Sequence, residues 1–323
     1  MITLYDFTKC KIDLTANYGG SDKKRGIILY NKKYMLKLSD KIPEEKRNQL
    51  NSSYTNSAFS ENIGCRIAKA IGFDVQNTLL GNITMQSSKG EERIYPVVAC
   101  ENFVPNGWKL VEFKFIEGAI LEKKPGKLPE FDDIYEVMTI PNAYFSEEFG
   151  KQALQRYWDT FILDALLGNF DRHANNWGYL VNEDTHEIKL APVYDCGSCL
   201  YPQISDDAIE TILNDKDEIQ MRIEKFPVAA LMKDNKKVSY MEYIKSFENK
   251  DCTDALQRIV PHINIDEISK IIDETPGISD IRKTFYKTMI SERYNQILLE
   301  PYKIITKGKN MTEEKDVPNL DEI

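Results

Sequence analysis

Excess positive charge, long apolar runs and dense cysteine are all missing from this sequence. Its 323 residues carry 42 Lys plus Arg against 51 Asp plus Glu, a net charge of −9. There is therefore no overall basic field to hold a phosphate backbone, and non-specific nucleic-acid binding is not expected. No stretch approaches the 18 or so apolar residues of a spanning helix, so no membrane partner is expected. Met1-Ile-Thr-Leu-Tyr-Asp-Phe7 lacks the basic and apolar regions of a secretory signal, which reads as a soluble protein, cytoplasmic where it is made. The six cysteines are too sparse for a disulfide scaffold, and reduced thiols are the default. Cys196-Gly-Ser-Cys199 has the spacing of a redox or zinc half-site, but a second pair is missing and only His173, His186 and His262 could assist.

What is present is an ordinary globular composition, 42% hydrophobic and 29% charged, long enough for one large or two modest lobes. Ile27-Ile-Leu-Tyr30 and Tyr34-Met-Leu-Lys-Leu38 predict a hairpin turning at Asn31-Lys-Lys33. The glycine-bearing stretch Asn17 to Gly26 precedes it, where a backbone can approach a phosphate closely. Ser60 to Ile71 predicts a helix ending at Gly72, and Thr78–Met85 and Ile94–Cys100 predict strands, the second buried on both faces. Residues 105–150, broken by four prolines, read as irregular with short helices. Gln152–Leu167 is the clearest helix, followed by a second hairpin, Trp177–Val181 with Ile188–Tyr194. Beyond residue 205 the pattern is helical, and no internal repeat is visible.

The chemistry lies in Asp171-Arg-His173-Ala-Asn-Asn176 and Tyr194-Asp195-Cys-Gly197. If the second hairpin closes, Asn176 and Asp195 stand at adjacent ends of it, beside Asp171. Two carboxylates and an amide in that arrangement supply hard oxygen ligands for a divalent metal and a carboxylate for an attacking hydroxyl, which is what phosphoryl transfer needs. Lys37 lies where a kinase places its phosphate-binding lysine, Glu61 on the following helix could pair with it, and Val97 to Phe103 resembles the strand and linker that meet adenine. Read singly, Asp171 and Asn176 also suit a helix exit, Glu61 suits a helix N-terminus, and Lys37 suits an edge strand. Their common order favours the kinase reading.

Asp171-Arg-His173-Ala-Asn-Asn176, Tyr194-Asp195 and Cys100-Glu-Asn-Phe103 together resemble the catalytic core of the HipA-like serine/threonine kinases, over residues 15 to about 300. The resemblance implies an α+β, two-lobed kinase-like fold: a strand-rich lobe over 1–104, a mostly helical lobe over 105–307 and a disordered acidic tail over 308–323. It implies ATP and Mg2+ as cofactors, Asp171 as base, Asn176 and Asp195 as metal ligands and Lys37 on the phosphates. Gly19, Gly20, Ser21 and Lys24 would form the phosphate loop, Glu101 and Phe103 the hinge, and His173 would orient the catalytic loop through a hydrogen bond near Asp195.

The implied reaction is transfer of the ATP γ-phosphoryl to a protein Ser or Thr, with self-phosphorylation and with a host protein among the conceivable substrates. The family's Asp-x-His order also occurs in phosphoinositide kinases, so a lipid or small-molecule acceptor stays open, as does a nucleotide-binding module without turnover. Longer family members carry a further segment before the core, so the resemblance gives little ground for an antitoxin partner, and Gly19 stands where the family's phosphorylated loop serine is expected. Oligomeric state is not legible.

Overall fold

The computed structural model describes residues 3–16, 24–39, 55–86, 90–121, 128, 130–139 and 146–313. The amino-terminal region is a six-stranded sheet in the order β1-β5-β6-β4-β3-β2, formed by β1 (Tyr5–Asp6), β2 (Lys11–Ile12), β3 (Lys24–Leu29), β4 (Lys32–Leu38), β5 (Thr78–Gln86) and β6 (Glu92–Glu101). All neighbours are antiparallel except β1 on β5. The first hairpin turns at Tyr30-Asn31, both at positive φ (49° and 61°), so Lys32 and Lys33 belong to the strand and not to the turn. A two-residue turn of that hand matches the twist of its strands.

Strand β6 shows why the sheet is covered on both sides. Val97 and Ala99 join Phe7, Ile27 and Leu36 on one face, while Val98 and Cys100 meet Ala58 of helix α1 (Ser57–Ile71) on the other. The burial expected on both faces holds from Val97 to Cys100, whereas Ile94 protrudes and is 69% exposed. Helix α1 ends at Gly72, whose φ of 105° is open to glycine and costly for other residues.

The remainder is mainly helical. Helices α2 (Phe113–Leu121) and α3 (Phe131–Thr139) lead to the long α4 (Glu147–Leu167), capped by the Ser146 hydroxyl and terminated by Gly168 at φ 64°. Helices α5 (Asp206–Leu213), α6 (Lys216–Glu224), α7 (Tyr240–Ser246), α8 (Lys250–Ile259), α9 (Ile265–Asp273), α10 (Asp280–Arg293) and α11 (Glu300–Glu313) follow. Trp158, Phe161, Ile162 and Leu166 of α4 are buried in one core that also takes in α1 and α8. No described helix is long and apolar enough to cross a membrane.

Three differences from the sequence expectations concern this part. Residues 105–150 are not simply irregular with short helices. Trp108–Glu112 forms β7 and pairs with β8 (Gly178–Asn182), itself paired with β9 (Ile188–Leu190). The partner lies some seventy positions downstream, out of reach of local patterning. The second hairpin is shorter than its apolar pattern: Ala191 N still donates to Gly178 O of β8, after which the chain departs and Val193 bridges to Val75 instead. Finally, α11 continues to Glu313, so the segment after residue 308 begins as helix rather than disordered tail, and residues 314–323 lie outside the described residues.

Candidate active site

Between the sheet and the helical region lies a cleft of about 710 Å³, bordered by Lys24, Lys37, Phe103, Asp171, His173, Asn176 and Asp195. The sequence-selected residues named here therefore converge, although Lys37 and Asp195 alone stand 158 positions apart. Gly19, Gly20 and Ser21 lie outside the described residues.

Lys37 is carried by β4 opposite Val98, which turns its side chain toward α1. Its ammonium donates to Glu61 Oε2 at 2.9 Å and to Asp195 Oδ1 at 3.0 Å. Burial opposes charge on this lysine, but the two carboxylates outweigh it and hold its pKa well above the usual value. Burial raises the Glu61 pKa despite the lysine, while at Asp195 the lysine overcomes burial and the pKa falls. The trio thus keeps Lys37 cationic and Asp195 anionic.

Backbone geometry places Asp195. Gln76 N donates to Val193 O and Val193 N to Asp74 O, stitching the segment before Asp195 to the loop after α1. Asp195 itself has φ 59°, a left-handed conformation that Asp tolerates better than most residues. The next residue turns back, and Cys196 N donates to Glu61 Oε1 at 3.0 Å, so one carboxylate serves both the lysine and this turn. Gly64 permits the approach: a Cβ there would lie 2.9 Å from Cys196 Cβ. Cys196 and Cys199 are buried against Gly64, with Cys65 as a third neighbouring thiol.

The loop leaving α4 holds the other acid. Asn176 Nδ2 donates to Asp171 O at 2.7 Å, which ties the two ends of the loop together. Burial raises the Asp171 pKa, the Asp195 charge raises it further, and His173 and Arg172 lower it. His173 Nε2 lies 3.7 Å from Asp171 Oδ1, and its Nδ1 accepts from Asn175 N. Both contacts lie within its own loop, and among the described residues His173 makes no bond near Asp195, where the resemblance implied one.

Sequence reasoning passed over the residue that fastens this loop. Arg172 is buried, pairs with Asp164 on α4 at 3.0 Å, donates to Asn176 O at 3.0 Å and also donates to Tyr194 O. A single guanidinium therefore holds the loop of Asp171 and the segment of Asp195 in register. Asp164 was the available signal, a charge inside Phe-Ile-Leu-Asp-Ala-Leu-Leu, where an unpaired carboxylate would be costly to bury. Two more residues were missed: Lys114, an ammonium on the cleft wall paired with Glu112 at 2.8 Å, and Gln76.

At the linker, Glu101 N donates to Asn77 O and Glu101 O accepts from Gln76 Nε2 at 2.9 Å, while its carboxylate pairs with Lys32 on the surface. A carbonyl has a second lone pair, so the Glu101 oxygen can still accept from a ligand. The Phe103 ring packs at a tilt of 32° against Tyr194, 5.5 Å between centroids. As for a metal, no cluster of three His, Cys, Asp or Glu is present among the described residues. Magnesium does not need one, since it keeps waters and phosphate oxygens and takes one or two protein oxygens. The Asp195 carboxylate and the Asn176 side-chain carbonyl fit that demand.

Comparison with known proteins places the chain. Residues 16–264 match the HipA-like C-terminal domain. The sequence is 40% identical to the serine/threonine-protein kinase CtkA of Helicobacter pylori over 296 residues, 91% of this chain and 86% of that protein. The fold superposes on the crystal structure of the H. pylori proinflammatory kinase CtkA with a TM-score of 0.83 and 36% identity, over 94% of this chain and 98% of that one. A Shewanella oneidensis HipA, solved with HipB and operator DNA, shares the fold with a TM-score of 0.51 and 15% identity, over 90% of this chain and 68% of that one.

Proposed function

The chain belongs to the HipA-like C-terminal domain family, and from that premise we propose that it is an ATP-dependent serine/threonine protein kinase that can also phosphorylate itself. The observation that carries the reading is the Lys37 ammonium held between the Glu61 and Asp195 carboxylates, in the same cleft as Asp171 and Asn176. Nothing in a purely structural ion pair requires a second acid and an amide to face it across 710 Å³ of open space.

In this reading Lys37 meets the α- and β-phosphates, and Glu61 fixes its position. Phe103 and the Glu101 carbonyl meet the adenine edge. Lys24 flanks the phosphates. Asp195 and Asn176 would hold Mg2+, which when bound neutralises the phosphate charge. Asp171 aligns the acceptor hydroxyl and takes its proton on a carboxylate oxygen, a task suited to a carboxylate whose pKa is raised by burial. Arg172, by joining Asn176 to Tyr194, keeps base and metal ligands in one geometry.

The test is phosphate transfer from labelled ATP with magnesium, read by mass spectrometry on the protein itself and on protein, lipid and aminoglycoside acceptors run in parallel. Phosphoserine or phosphothreonine formed by the wild type and lost in Asp171→Ala is expected. Transfer that persists in both Asp171→Ala and Asp195→Asn would overturn the assignment, and transfer confined to lipid or aminoglycoside would replace the acceptor class.

A further inference from the structure

The loop bearing Asp171 is flanked by the chain from Phe226 to Tyr240. At one end the Phe226 ring lies 5.9 Å from that of Phe170, the residue before Asp171, and Pro227 packs on Gly168. At the other end the Tyr240 hydroxyl donates to Asn169 O at 2.8 Å. Between them runs a small hairpin, β10 (Met232–Lys233) and β11 (Lys236–Lys237), turning at Asp234-Asn235. The hairpin is thus fastened at both ends to the catalytic loop.

Register then separates its lysines. Lys233 stands opposite Lys236 and Met232 opposite Lys237, so the two pairs face opposite ways. Lys233 is engaged, 2.6 Å from Glu248 and 5.7 Å from the Tyr243 ring centroid. Lys237 turns the other way. It is three residues before Tyr240, while Asp171 is two residues after Asn169, which sets both within a few residues of a fixed contact at roughly 3.5 Å per residue. The Lys237 charge accordingly lowers the Asp171 pKa. Among the described residues neither Lys236 nor Lys237 forms an ion pair, in a chain whose net charge is −9. The acids closest along the chain are accounted for: Asp234 is in the turn, and Glu242 faces Lys225 at 3.8 Å. Phe226, at the other end of the same stretch, is 47% exposed while its ring meets Phe170.

We propose that Lys237 and the Phe170–Phe226 pair form the acceptor platform of the kinase, selecting a segment that carries an acidic residue within a few positions of the phosphorylated Ser or Thr and an apolar side chain on the Phe226 ring. The proposal rests on the kinase reading and adds its substrate class. A hydroxyl presented to Asp171 must arrive on a chain that crosses these neighbours. At about 3.3 Å per extended residue, the flanking positions are the ones that meet ring and ammonium. An acidic segment finds there an exposed ammonium that no ion pair holds among the described residues, whereas a basic one meets like charge.

Synthetic peptides with one central Ser, flanked by Asp, Ala or Lys and with or without a neighbouring Leu, test it in wild type, Lys237→Glu, Lys237→Ala and Phe226→Ala. The wild type should favour Asp over Lys peptides by about three- to tenfold in kcat/KM, the scale of one or two rim charges. Lys237→Glu should reverse the order and Lys237→Ala should flatten it. Phe226→Ala should raise KM for Leu-bearing peptides, and KM for ATP should be constant throughout. Comparing peptides at one pH cancels any effect of Lys237 on Asp171. Equal use of all peptides by the wild type, or the same ranking in Lys237→Glu, overturns the platform while leaving the kinase assignment intact. Self-phosphorylation with no peptide accepted does the same. Absence of both phosphate transfer and ATP binding removes the kinase reading and the platform with it.

Discussion

The two walls of the cleft each rest on a buried ion pair, yet the pairs have different tasks. On the sheet side, Lys37 and Glu61 come from a strand and a helix 24 positions apart, and the lysine also reaches Asp195. Its side chain keeps 16% of its surface, enough to address a ligand. On the helical side, Arg172 and Asp164 are eight positions apart, both almost fully buried, and the guanidinium spends its remaining donors on two backbone carbonyls and the Cys196 Sγ. The first pair aims a charge into the cleft, whereas the second uses charge to hold a loop still. Partial exposure separates the two: in the proposed reading the first pair addresses the nucleotide, while the second holds the chain.

That contrast can be tested from its largest consequence downward. If the kinase reading holds, Asp171→Ala or Asp195→Asn removes the proposed base or metal ligand from the cleft and should lower kcat/KM by roughly three orders of magnitude or more, about 1.4 kcal/mol per tenfold. Steady-state kinetics with ATP and magnesium measure it. Asp164→Ala strands a buried guanidinium and should cost about 3–5 kcal/mol of stability. Denaturant unfolding should show a lower midpoint, together with lost activity. A midpoint equal to wild type would contradict the structural task given to this pair. Glu61→Gln, by contrast, should spare stability and reduce kcat/KM about ten- to hundredfold, the worth of one charge-assisted hydrogen bond. If Glu61→Gln unfolds the protein instead, the distinction between the walls collapses.

A smaller effect is expected in the pH profile. In the proposed role Asp171 takes the proton only when ionised, and burial raises its pKa, so kcat/KM should fall as pH drops through that raised value. His173 lowers this pKa, so His173→Gln should move the acid limb to higher pH, with the plateau rate changed less than the limb. A limb shifted to lower pH would contradict the geometry. The smallest effect belongs to Glu101→Ala, which breaks only the exposed pair with Lys32 and should alter stability by no more than about 1 kcal/mol. KM for ATP should be unchanged, since the proposed contact with adenine uses the Glu101 carbonyl and not its carboxylate.

Much of this was written locally. The α1 and α4 helices follow from apolar spacing and from Gly72 and Gly168 as stops, and β6 from its apolar run. Lys37, Glu61, Asp171, Asn176 and Asp195 could be selected because their order and residue types match one chemistry. β7 escaped notice because a short strand declares itself only through its partner, here β8 far along the chain. The turn at Tyr30-Asn31 was misplaced by two residues because Lys32 and Lys33 look like turn material while their backbone pairs with β3. The hydrogen bond expected of His173 near Asp195 could not be checked without distances, and its contacts are Asp171 and Asn175.

What composition and order determined by themselves is the inventory: which acids, amide and lysine are present, on which kinds of element, and that no basic surface field competes with them. Only the tertiary structure decided that one carboxylate of Glu61 would bind both Lys37 and the turn after Asp195, and that Arg172 would join two loops. Periodicity reports which face of an element is buried. It cannot report which distant partner lies there, because ion pairs and hydrogen bonds depend on separations of a few ångströms that arise only when the sheet and helices pack together.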